Sequence, residues 1–484
     1  MSARKLLVFT SLAGLLAASG IVYMSRRQPQ GPRPSAGPPQ DPSGEVTIAY
    51  PQDPVSLDPY SVQGDTSATK DLLRPVLPTL LTITPEMRYA PGLALRVPRG
   101  RDITTTPFSV TYHLDPAARW SDGSAMGAAD VRATWQAIRQ GTVASSRYSH
   151  VVDVKVDGPH RVTVVFDTPQ EGWRDLFSAG DFILPASLAG RGDRAEVMST
   201  GAPISGGPFL LQAYEAGLSL TYSSNPKWWR NGPGLKRVTV LIVPDDETAI
   251  GLFKQDEVDV IAATSRLNLR HRLSAAGASV SARFGYSWWE LVFNTSSGDV
   301  REPHLRRAIA LSVDRQGFVE AFLSSEGRVL DSQVPGSGPK LYADLHRDNK
   351  AASAELKLAK VPASTGRSTL TISAAVDSLG DLLERTIERA LTDLGLKVDL
   401  RDTSADELYG EWLPKGDFQI ALVERRGSPA LSAISADSAA LRSQLTVLPL
   451  LETQMIIGFR RNVKGPSANA STDGPLWNLH MWKG

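Results

Sequence analysis

Apolar and polar positions alternate from Glu45 to Tyr50 (EVTIAY), as they do on a half-buried strand, and the run stops at Pro51. Phe108–Leu114 repeats the alternation, with Val110, Tyr112 and Leu114 on one face. Asp122-Gly123 supplies a turn, and the period then lengthens. Val131, Trp135 and Ile138 share one side of a helix predicted over Ala128–Arg139. Val151–Phe166 reads as two strands folded about Asp157-Gly158, a strong hairpin signal. Val238–Pro244 is a continuous apolar run of the buried-strand type, a helix follows over Glu247–Phe253, and alternation returns at Glu257–Ile261. Glu302-Pro303 suits the first turn of a helix running to Leu311. Leu382–Leu394 is an amphipathic helix stopped by Gly395, with the strand Lys397–Leu400 after it. Asp348–Ser368 is polar and weakly patterned, the signature of a surface connection. Helices and strands interleave without an internal repeat, which predicts a mixed α/β fold.

The N-terminus has a different character. An uncharged run, Leu6–Ser25, lies between Arg4-Lys5 and Arg26-Arg27. It has the length of a membrane-spanning helix, about 17–25 residues. Ala17-Ala18-Ser19-Gly20 within it also offers a small-residue cleavage site. An uncleaved anchor over residues 1–27 and a cleaved signal peptide both remain open, and both carry the rest of the chain out of the cytoplasm. Residues 28–44 are rich in Pro and Gly and cannot pack a core, so they read as a stalk before a folded body at 45–484.

A chain of 484 residues with 42% hydrophobic positions builds a sizeable core, enough for two or three lobes. The 52 Lys and Arg nearly balance 51 Asp and Glu, which leaves no electrostatic footprint for nucleic acid. With no cysteine there are neither disulfides nor thiolate metal sites, and the seven histidines lack ligand spacing. Neither a phosphate-binding Gly-rich loop ending in Gly-Lys-Ser/Thr nor a Gly-x-Ser-x-Gly elbow occurs. We therefore expect a protein without cofactor, resident metal or catalytic residues. Asp245-Asp246 reads as a helix cap. The distinctive chemistry is aromatic: Trp228-Trp229 and Trp288-Trp289, with Tyr214, Tyr222 and Tyr286 nearby, the kind of side chains that line clefts and also fill cores.

A series of motifs runs in order through the body. Ser56-Leu57-Asp58-Pro59 follows the first strand, and Tyr89-Ala90-Pro91-Gly92-Leu93-Ala94 comes next. Trp120-Ser121-Asp122-Gly123 leads to Ala128-Ala129-Asp130-Val131. Gly207-Pro208-Phe209, Asn225-Pro226-Lys227-Trp228-Trp229, Phe293-Asn294-Thr295, Leu305-Arg306-Arg307-Ala308-Ile309, Leu394-Gly395-Leu396 and Gly416-Asp417-Phe418 continue the series. In these the chain resembles the family 5 extracellular solute-binding proteins, the oligopeptide-, dipeptide- and nickel-binding components of ABC importers. The resemblance implies a two-lobe, flytrap-like periplasmic-binding-protein fold with an extra subdomain. Lobe one would comprise about 45–62, 187–289 and 461–484, the subdomain 63–186, and a shortened lobe two about 290–460. It also implies capture of a small-molecule or peptide ligand by a monomer, ABC permease subunits as partners, and an extracytoplasmic place, in the periplasm or at the outer face of the cytoplasmic membrane. Arg306 sits on a helix where a fixed charge can pair with a carboxylate.

The chain departs from the pattern in several places. Leu16-Ala17-Ala18-Ser19-Gly20 leads to Ile21, not to a lipid-bearing Cys, and Gly127 stands where a capping Thr is usual. Peptide-binding relatives carry an Asp for the peptide amino group where this chain reads Gly427-Ser428-Pro429-Ala430-Leu431. A membrane-tethered sensor or scaffold that kept the fold and lost transport is the alternative function.

The candidate ligand contacts lie on Tyr286–Thr295, which resembles the strand leading into the second lobe. On a strand, Trp288 and Glu290 share one face and Trp289 and Leu291 the other. The amphipathic Trp288/Glu290 face offers stacking area and a carboxylate for an amino group. Asn294 and Trp412 complete the expected set.

Overall fold

The computed structural model describes residues 44–484 except 55, 62, 141–146, 200–203, 265–267, 333–334, 336–339, 376–377, 405–406 and 429–443. The apolar run at residues 6–25, the stalk up to residue 43 and the Pro429–Leu431 stretch lie outside them. Among the described residues no helix is long and apolar enough to cross a membrane.

The chain enters as β1 (Glu45–Tyr50) and leaves for a small excursion. That excursion holds the hairpin β2 (Leu81–Ile83) and β3 (Tyr89–Pro91), then a four-stranded antiparallel sheet of β4 (Ile103–Thr105), β5 (Phe108–His113), β6 (Val151–Gly158) and β7 (Arg161–Phe166). It returns through β8 (Phe209–Glu215), β9 (Ser219–Ser224), β10 (Arg237–Ile242) and β11 (Val260–Thr264). β1 pairs in parallel with β10 and β11, which makes the half-sheet of lobe one. The long strand β12 (Ser279–Phe293) then passes to lobe two, which holds β13 (Gly327–Val329) and the half-sheet β14 (Thr369–Ala375), β15 (Lys397–Thr403) and β16 (Ile420–Arg426). β17 (Val447–Phe459) carries the chain back. All but the small sheets form one 11-stranded sheet.

The two crossing strands define the architecture. β12 has 15 residues and β17 has 13, against about five or six for an ordinary strand. They pair with each other along their length, β17 with β11 at the lobe-one end and β12 with β16 at the lobe-two end. Their mutual register shifts between Phe284 and Trp288 and again between Trp289 and Glu290. Irregularity there leaves ladder bonds unmade where the lobes meet, a natural place for bending.

Two large cores flank this junction. One gathers β1, β9 and β10 with Trp120, Tyr112 and Trp135 of the excursion, so the small sheet shares the core of lobe one. The other packs Trp289, Leu291 and Phe293 against Leu305, Ile309, Leu383 and Ile387 of the lobe-two helices.

Several sequence motifs prove to be local capping devices. Asp130, in the first turn of the helix Ala128–Gln140, accepts from Gly127 N (2.8 Å), Ala186 N (2.8 Å) and the Trp120 indole (3.3 Å). A Cβ at Gly127 would lie 2.5 Å from the Pro159 carbonyl, which explains glycine in place of the usual capping residue. Asp245 caps the helix Asp246–Lys254 by accepting from Thr248 N.

Three expectations need correction. Residues 157–158 stay in β6, and the turn falls at Pro159-His160, because Gly158 pairs with Arg161. Asp348–Ser368 is not an irregular connection: Asp348 caps a helix, Asn349–Ala359, that buries Ala352, Leu356 and Ala359. Alanine at two of these three positions kept the apolar stripe below notice. Among the described residues Arg306 pairs with no carboxylate; its buried guanidinium donates to the carbonyls of Val300, Arg301, Gln444 and Leu445.

Candidate functional site

β12 sets the parity of the candidate residues. Trp289 and Leu291 point into the lobe-two core, which leaves Trp288 and Glu290 on the opposite face. Trp288 is 5% exposed and packs against Leu330, with Met87 of the β2–β3 turn laid on the same cluster. Its indole N–H donates to Glu290 Oε2 at 2.8 Å. Arg425, opposite Trp288 on β16, donates to the other oxygen, Oε1, at 3.0 Å. On the far side of Trp288, β17 presents Glu452, 2.7 Å from Arg328 of β13, whose guanidinium stacks 3.9 Å over Phe284. Burial pushes Glu452 up to about 7 against the pull of Arg328. The ladder therefore sets Arg425, Trp288, Glu452 and Arg328 side by side across four strands, with the cations outside and the indole and one carboxylate within. The arginines are the exposed members, 41% and 57%.

The other two candidates are held elsewhere. Asn294, at the end of β12, donates to the carbonyls of Gly416 (2.9 Å) and Phe418 (3.0 Å) and so clasps a loop. Trp412 sits in a small cluster with Leu408, Ala421 and Val423, with Arg401 stacked 3.7 Å over its ring.

A second polar group lies where lobe two meets lobe one, and sequence reasoning missed it. Asp71, on the helix Ser67–Leu73, accepts from Tyr50 Oη and from Arg426 Nη1, each at 2.6 Å, with both charged side chains buried. Burial works against the Arg426 charge, and Asp71 beside it more than restores it, so the guanidinium is held above its ordinary pKa. Burial, then the Asp71 charge, raise the Tyr50 phenol, which stays a donor. Arg74, one turn on, pairs with Asp473 of the C-terminal segment. Asp175 accepts from Tyr89 Oη at 2.6 Å and from Ser428 Oγ, and burial still pushes it up to about 6. A water-sized cavity of about 10 Å³ adjoins this group, lined in part by Tyr50, Gln52, Glu424 and Arg426. The one available signal was composition: three charged residues, Glu424-Arg425-Arg426, end a strand that starts as the apolar run Ile420–Val423. Their partners, more than a hundred residues away, carry no local mark.

Among the described residues no three His, Asp or Glu side chains converge to hold a metal. The arrangement is one of paired charges and aromatic surface on a jointed sheet, suited to holding a polar solute.

The profile of the bacterial extracellular solute-binding proteins, family 5 (middle), matches residues 88–434. The chain is 23% identical over 416 residues to the oligopeptide-binding protein OppA of Mycobacterium tuberculosis, covering 79% of this chain and 69% of that one. A solved periplasmic oligopeptide-binding protein of Borrelia burgdorferi has the same fold, with a TM-score of 0.79 at 16% identity over 91% of this chain and 99% of that one. NikZ of Campylobacter jejuni, solved with Ni(L-His), superposes with a TM-score of 0.76 at 15% identity over 91% and 99%. The match spans well over half of the chain and both lobes, so this protein belongs to the family 5 extracellular solute-binding proteins.

Proposed function

We propose that the chain captures a peptide, or a solute with similar charged ends, between its two lobes and delivers it to an ABC permease. The observation that carries this reading is the junction itself. Two overlong strands join the half-sheets, and the polar row built on Trp288 and Glu290 crosses them at the irregular register. Closure of the lobes about such a joint buries a ligand, and its affinity is then linked to the closed population. A micromolar site needs only ~8 kcal/mol, within reach of a few charge-assisted hydrogen bonds and the apolar area that closure buries.

In this reading Glu290 receives a cationic or amino group, Arg425 a carboxylate, and Trp288 holds Glu290 in place through its indole N–H. Asn294 and Trp412 support the site through the loop and the helix they hold. The peptide reading draws on OppA of M. tuberculosis; NikZ, on the same fold, carries a nickel complex, so the fold alone does not choose. The body works outside the cytoplasmic membrane as a monomer, tethered by Leu6–Met24 or released by cleavage near Ser19. Isothermal titration of the full chain with a pool of short peptides tests the reading. Binding that weakens at least tenfold in Glu290→Gln supports it, and equal binding by that variant overturns the site.

A further inference from the structure

The end of β16 reaches out of lobe two and touches lobe one with three residues in a row. Arg426 Nη1 lies 2.6 Å from Asp71 Oδ2. The Gly427 carbonyl accepts from Thr472 N at 3.0 Å. Ser428 donates to Asp175. The three acceptors and donors come from separate elements of lobe one and its excursion: the helix Ser67–Leu73, the C-terminal segment and the stretch around Asp175. A single consecutive tripeptide thus ties lobe two to three elements of its neighbour.

The first tie is built closely. The Asp71 side chain is fully buried and that of Arg426 is 8% exposed. Gly474, at φ 65°, packs so near that a Cβ there would collide with the Asp71 carboxylate. Yet the pair is incompletely satisfied, since Asp71 Oδ1 and Arg426 Nε are buried without a hydrogen-bond partner among the described residues. A buried pair with unmet groups is held by geometry and gains by rehydration when it opens. Those are the properties of a contact made to be broken.

We propose that Arg426–Ser428 is a latch: it holds the two lobes together through the chain's own side chains, so the protein closes without solute and must open to admit one. In an unlatched flytrap, closure depends on bonds through the bound solute. Here the cross-lobe bonds are already supplied. A solute would have to displace them, which sets a threshold on what can enter.

The absence of cysteine makes a direct test clean. Cysteines introduced at Leu218, 58% exposed in lobe one, and Leu358, 53% exposed in lobe two, take spin labels without competing sites. Pulsed electron resonance on the full chain, dialysed free of solute, then reads the interlobe distance. The latch predicts one short-distance population in the parent and a longer one in Arg426→Ala. Ser428→Ala, which removes one hydroxyl and leaves Asp175 its bond from Tyr89, should shift part of the population the same way and serves if Arg426→Ala does not fold. A parent already in the long-distance state overturns the latch. So does a parent that is short while the folded variants stay equally short.

Discussion

Trp288 joins packing to the positioning of a carboxylate, because Leu330 and Met87 cover its ring while its N–H donates to Glu290. Substitutions can separate the two. Trp288→Ala should cost ~3–5 kcal/mol of stability through the cavity it leaves. Trp288→Phe keeps part of the packing and removes the donor. It should lose about 1–2 kcal/mol of solute affinity while lowering the melt less than Trp288→Ala does. Wild-type affinity in Trp288→Phe, read by calorimetry, would remove Trp288 from the site. The pairing of Trp288 with Glu290 on one face was legible from strand parity alone. The flanking Arg425 and Glu452 were not, because cross-strand neighbours depend on a register between segments more than a hundred residues apart.

At the scale of single elements, helix ends and strand starts were readable where a polar cap announced them, as at Asp245 and Glu302. The helix Asn349–Ala359 escaped because alanines carry much of its buried face. Arg306 was placed on its helix correctly, but its role is to gather carbonyls from two segments, which no helical pattern encodes. Arg306→Met should therefore cost ~3 kcal/mol by leaving those carbonyls unpaired, and Arg306→Lys should restore little, since one ammonium cannot replace the planar fork. Urea unfolding of both variants checks this.

The helix Ser378–Asp393 carries a pH signature. Burial, then a hydrogen bond to Asp402, push Glu384 up to about 8. A carboxyl raised in the folded state binds its proton more tightly there than in the unfolded chain. Its stabilising share is thus complete below the ordinary carboxyl range and is lost as pH rises toward 8. Glu384→Gln should raise the melting temperature at pH 8 and bring it level with the parent near pH 5. A gap that is the same at both values would contradict the assignment.

For the whole molecule, the two-lobe plan was legible because its motifs run in order from Ser56 to Phe418, while the buried contacts between lobes were invisible to any local pattern. Function follows from the jointed sheet: β12 and β17 hold two cores together across an irregular register, and the polar row on Trp288 and Glu290 lies over that joint. Native mass spectrometry of the full chain, purified from its own host, tests solute capture most directly. The account predicts a population heavier than the chain by one solute, with peptide-like fragments, and its depletion in Glu290→Gln. A spectrum of bare chain alone, under gentle ionisation and from cells grown in peptide-rich medium, would contradict it.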